Sequence, residues 1–62
     1  MVEQINAERV KSIREAMGLN RIQFARAVQV TRQTVTNWET GRTIVAGPAL
    51  MLLHSIAEKY RA

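Results

Sequence analysis

Gly18-Leu19-Asn20-Arg21-Ile22-Gln23-Phe24-Ala25 and, after five intervening residues, Thr31-Arg32-Gln33-Thr34-Val35-Thr36-Asn37-Trp38-Glu39-Thr40-Gly41 are the stretches that decide the fold. Gly18 stops a preceding segment of helical periodicity at a position where a left-handed cap is cheap. Asn20 is a good N-cap, and Gln23 three residues on completes a capping-box pattern. Phe24, Ala25 and Val28 make the buried face of this short helix. Thr31 is the next candidate N-cap, for a helix running from about Arg32 to Thr40 with Gly41 as its terminator. The cap residues therefore mark two short helices separated by a tight turn.

Working outward, Asn6 caps an earlier helix with Glu8 in its first turn, where the helix dipole favours negative charge. Val10, Ile13 and Met17 form its apolar stripe. Downstream, residues 42–46 form a loop. Gly47-Pro48 then reads as N-cap and N1, where the missing proline N–H costs nothing, and the last helix continues to near Tyr60. There is no internal repeat, linker or low-complexity tract. β-branched stretches such as Thr43-Ile44-Val45 are too few and short for a sheet. The expectation is an all-α chain forming a single domain over residues 1–62.

Composition narrows the function. The chain has 62 residues, no cysteine, one histidine and no aspartate. Disulfides and cysteine-ligated zinc are excluded, no other metal site is expected, and no cofactor is implied. A core this small supplies about 3–5 kcal/mol, so tight helix packing or a partner must help. No apolar run approaches the ~18 residues of a membrane span. Met1-Val2-Glu3-Gln4-Ile5-Asn6 lacks the order of a signal peptide, so a cytoplasmic location is expected. Nine Lys+Arg against five Glu give +4. Between Asn20 and Arg42 stand four arginines and one glutamate, a local +3. A basic half of this kind suits an anionic partner.

The helix from Arg32 names that partner's chemistry. At ~100° per residue, Val35 and Trp38 fall together as the core side, while Arg32, Gln33, Thr36, Asn37 and Thr40 share the opposite side. A solvated face normally carries Glu and Lys, and Thr and Asn weaken a helix. Arg, Gln and Asn are instead the side chains that bond guanine and adenine edges bidentately in the major groove, and Thr adds a hydroxyl and a methyl. The bland alternative is a merely polar surface helix.

The two quoted stretches closely resemble the lambda-repressor/Cro-like (XRE) helix-turn-helix family, whose pattern is roughly G-L-[ST]-Q-x-E-[LF]-A, then G-V-[ST]-x-x-[ST]-[VI]-x-x-W-E-x-G. The resemblance covers about residues 7–53. Gly47-Pro48-Ala49-Leu50-Met51-Leu52-Leu53 is similar to the G-P-A-L-x-L-L segment of a subgroup containing many antitoxins. Arg21 stands where the family usually has Gln, Gln23 where it has Glu, Gln29 where it has Gly or Asn, and Val45 where proline is common. The resemblance implies a compact four- to five-helix domain whose recognition helix enters the major groove by its N-terminal part. Thr31, Arg32, Gln33, Thr36 and Asn37 are then the expected base contacts, with Arg32 and Gln33 as main readers. Asn20, Arg21, Thr34 and Arg42 are the expected phosphate contacts. Arg14 and Glu39 are expected to form a structural ion pair, and Trp38 to lie in the core.

The last helix bears on assembly. Ala49, Leu50, Leu52, Leu53, Ile56, Ala57 and Tyr60 cover roughly 160° of its circumference, with Met51 on the opposite side. That is wider than one packing contact needs, so Leu50, Met51, Leu53, His54, Ala57 and Tyr60 are the expected dimer interface. A generous core plus one exposed methionine is the alternative. His54 is expected in surface or interface packing rather than catalysis. No nucleophile–base pair, carboxylate dyad or phosphate-cradling glycine loop supports an enzyme. The expected function is a homodimeric repressor of its own operon, with an inverted-repeat operator in double-stranded DNA as partner. The competing readings are an antitoxin that also binds a toxin, and a protein-interaction module that does not bind DNA.

Overall fold

The computed structural model describes residues 3–61. Met1, Val2 and Ala62 lie outside the described residues, so the first two residues of the N-terminal stretch weighed above as a leader are among those not described. The described residues form four α-helices: α1 (Ala7–Ala16), α2 (Arg21–Ala27), α3 (Arg32–Glu39) and α4 (Pro48–Tyr60). The described residues include no strand, and the helix count is four.

Each start is set by its cap. The Asn6 side chain accepts from the Arg9 N–H at 2.8 Å. At α2 the capping box is complete: the Gln23 N–H donates to Asn20 Oδ1 at 2.8 Å and the Asn20 N–H to Gln23 Oε1 at 2.9 Å. At α3 the Thr34 N–H donates to Thr31 Oγ1 at 3.1 Å. Gly47 precedes α4 with Pro48 in its first turn. These bonds satisfy amides that a helix N-terminus otherwise leaves unpaired. Gly18 follows α1 with φ +71°, the left-handed conformation that ends a helix cheaply only without a Cβ.

The turn between α2 and α3 takes that conformation at Gln29, with φ +59°. The Val30 N–H donates to the Ala25 carbonyl at 2.9 Å and closes the turn. This holds α2 and α3 against each other, and α1 packs across α3 and α4.

Phe24, Ile13, Leu53, Val10, Val35 and Val45 are the largest fully buried side chains. Full burial of such a side chain contributes about 1.5–3 kcal/mol as an upper bound. Trp38 is also buried, on the core side of α3. Three of the described core residues lie outside the helices, one being Val28, just past the end of α2. Val45, in the loop before α4, and Ile5, in the segment before α1, are both buried. Gln4 Nε2 donates to the Val45 carbonyl at 2.9 Å and ties the two segments together.

Candidate nucleic-acid interface

The exposed side of α3 begins with Arg32 and Gln33 and continues with half-buried Thr36 and Asn37. Gln33 Nε2 donates to Asn37 Oδ1 at 2.9 Å, one turn along. That bond orients the Gln33 amide and leaves it a carbonyl oxygen and one N–H, which complement the N6–H donor and N7 acceptor of adenine's major-groove edge. Thr31 Oγ1, besides capping α3, lies 2.9 Å from Thr34 Oγ1. The hydroxyls of these two expected contacts are thus bonded to each other in the free chain. Thr40 Oγ1 donates to the Thr36 carbonyl at 2.8 Å and does not extend the reading face.

An open groove runs from this face across to α1. Lys11, Arg14, Asn20, Arg21, Ile22, Arg32, Gln33 and Thr36 line it. Four of the eight are cationic and none is acidic, which concentrates positive potential in a concave surface. The fold therefore brings Asn20 and Arg21 to the same surface as Arg32, Gln33 and Thr36. Thr31, Thr34, Asn37 and Arg42 are not part of its lining. Arg42 is exposed on the turn after α3, where its N–H donates to the Asn37 carbonyl at 2.9 Å. Lys11 and Ile22 belong to the groove although sequence reasoning gave neither a role. Lys11 shows only as part of the total charge, and Ile22 is 47% exposed despite being apolar.

Beneath the groove lies an ion-pair cluster. Arg14 Nε donates to Glu39 Oε2 at 2.8 Å and its Nη2 to Oε1 at 3.2 Å. Arg14 Nη1 donates to the Leu19 carbonyl at 3.0 Å, so one side chain ties α1 to the α1–α2 turn and to the end of α3. The Glu39 side chain is 1% exposed. Its hydrogen bonding to Arg14 raises the arginine pKa above the ordinary value, against the opposing effect of burial. Arg21, expected to face phosphate, donates from Nε to Glu39 Oε1 at 3.3 Å.

On α4, Leu53 and Ala57 are buried in the chain's own core, and Leu50 packs half-buried against it. This corrects the placement of Leu53 and Ala57 at a subunit contact. α4 meets α1 while Val45 and Ile5 enter the same core, and the wide apolar arc is largely consumed in covering it. His54 is half-buried, and its Nε2–H donates to the Glu3 carbonyl. Met51 and Tyr60 are exposed, as are Leu52 and, in the preceding loop, Ile44. A second, apolar concavity lies between Ala27–Val30 and the start of α4 at Pro48, Ala49 and Leu52. No helix among the described residues is long and apolar enough to cross a membrane.

Comparison with known proteins agrees with the groove's chemistry. Residues 10–60 match the family described as Helix-turn-helix. Over 49 residues the chain is 39% identical to Antitoxin HigA-2 of Vibrio cholerae serotype O1, an alignment covering 79% of this chain and 47% of that protein. The chain thus spans about half the length of the curated relative it matches. No solved structure gives a significant match.

Proposed function

The chain belongs to the XRE-type helix-turn-helix family of DNA-binding domains, and we propose that it acts as a homodimeric repressor of its own operon. In this reading residues 1–62 form one binding domain, and two copies occupy an inverted-repeat operator through the major groove. The observation that carries the proposal is the groove of Lys11, Arg14, Arg21 and Arg32, whose four cations outnumber the single Glu39 carboxylate bonded beneath it, continuous with the Arg32–Gln33–Asn37 side of α3. Its cations suit phosphates, and its amides suit base edges.

Size supports the two-fold arrangement. The described residues extend 28 Å at most, and successive major grooves on one side of DNA lie about 34 Å apart. One copy therefore delivers one recognition helix. Exposed Met51, Leu52 and Tyr60 are apolar side chains on α4 that a second copy would cover.

Selection of bound duplexes from a random pool tests the proposal. The expected product is a palindromic consensus with half-sites one helical turn apart. A pool that stays random, or a site without symmetry, contradicts it.

The likeness to an antitoxin supports a second reading, in which this domain is the DNA-binding part of an antitoxin and the partner is a toxin protein. Co-purification with the product of an adjacent toxin-like gene tests it. The third reading, an interaction module without DNA binding, leaves Arg32, Gln33 and Asn37 on one face unexplained. Failure to shift DNA from upstream of its own gene, at low and moderate salt, would favour it.

A further inference from the structure

We propose that Glu39 is a positioning residue for DNA binding that acts through Arg21, beyond its pairing with Arg14. The inference rests on the DNA-binding reading and extends it to one side chain. Arg14 already satisfies the Glu39 carboxylate with two nitrogens, at 2.8 and 3.2 Å. A second guanidinium on Oε1, from Arg21 at 3.3 Å, adds nothing that the burial of Glu39 requires. It places two cations on one carboxylate.

What the second bond does is fix direction. Arg21 Nε is held, while its two terminal nitrogens make no hydrogen bond among the described residues. The side chain is 44% exposed and lines the groove beside Arg32, Gln33 and Lys11. A guanidinium anchored at Nε presents a planar pair of N–H donors that matches a phosphate. Holding it in advance removes rotamer freedom that binding would otherwise cost. Arg21 stands where the resembled family has glutamine, so this second tie to Glu39 accompanies a departure of this sequence from that pattern.

Removing the Glu39 charge takes the chain from +4 to +5. Long-range electrostatics alone then predicts tighter binding to DNA. Loss of positioning predicts weaker binding.

The test measures affinity for a mixed-sequence DNA duplex, across a series of salt concentrations, for the wild type, Arg21→Gln, Glu39→Gln and the double variant. Circular dichroism first establishes that each is folded. Arg21→Gln is expected to weaken binding about tenfold and Glu39→Gln about fivefold, the scale of one charge-assisted hydrogen bond in an exposed setting. The double variant is expected to bind about as Arg21→Gln does. Tighter binding by Glu39→Gln, or an Arg21→Gln effect of equal size in both backgrounds, overturns the inference while leaving the DNA reading intact. No wild-type binding at low salt refutes that reading and this inference with it. If Glu39→Gln does not fold, Arg21→Lys decides. It keeps the charge without the anchored fork and is expected to bind more weakly than the wild type, though less weakly than Arg21→Gln. Wild-type affinity for Arg21→Lys overturns the inference.

Discussion

Replacing Gln29 with glycine is expected to stabilise the fold, and the structure sets the size of the gain. Gln29 occupies the turn between α2 and α3 with φ +59°. A residue with a Cβ is held in that conformation at a cost of about 1–2 kcal/mol. The Gln29 side chain is exposed and makes no hydrogen bond among the described residues, so glycine gives up little else. The turn's bonds, Gln29 N–H to the Arg26 carbonyl at 3.3 Å and Val30 N–H to the Ala25 carbonyl at 2.9 Å, are main-chain bonds and remain. Against the relief stands the greater freedom of glycine in the unfolded chain, up to about 1 kcal/mol. The net gain is about 0.5–1 kcal/mol. In a domain of this size that raises Tm by about 2–8 °C. Thermal and urea denaturation followed by circular dichroism measure it, with Gln29→Ala as a control expected to stay within about 0.5 kcal/mol of the wild type. An unchanged or lower Tm for Gln29→Gly would mean that the turn conformation is not costly or that the glutamine side chain stabilises it.

Glu39→Ala leaves the Arg14 guanidinium without its carboxylate and is expected to cost about 3–5 kcal/mol, most of the stability of so small a domain, as read by urea denaturation. Arg32→Ala and Gln33→Ala should each cost about 1–3 kcal/mol on the selected site and relax its sequence at particular base pairs. Lys11→Ala should instead weaken all sequences alike and lower the salt slope by about one, and titrations at several salt concentrations separate the two behaviours. Met51→Glu, on an exposed position of α4, should change the stability of the folded chain by no more than about 0.5 kcal/mol and shift sedimentation toward the monomer.

The helices were legible because their ends carry chemistry in adjacent residues. Asn6, Asn20 with Gln23, Thr31, Gly18 and Pro48 mark the boundaries, and Val35 with Trp38 marks the buried side of α3. Ile5 and Val45 were not legible as core. Neither belongs to a periodic segment, and only the Gln4 bond to the Val45 carbonyl shows why both segments turn inward. The use of the apolar arc of α4 was not legible. An angular span does not say how many neighbours meet it, and Leu53 and Ala57 proved to be inside. In the candidate interface, residue types on α3 pointed to base edges directly. Lys11 required the packing of α1 against α3 before its charge acquired a place. The bond from Arg21 to Glu39 joins residues 18 apart, a pairing that no local pattern contains.

The α3 face and the adjoining groove are the surface expected to meet DNA. Mapping backbone amide chemical shifts on addition of a bound duplex tests this. The predicted result is perturbation at Lys11, at Asn20 and Arg21, along Thr31 to Asn37, and at Arg42. Shifts centred on α4 with the amides of α3 unmoved would contradict it.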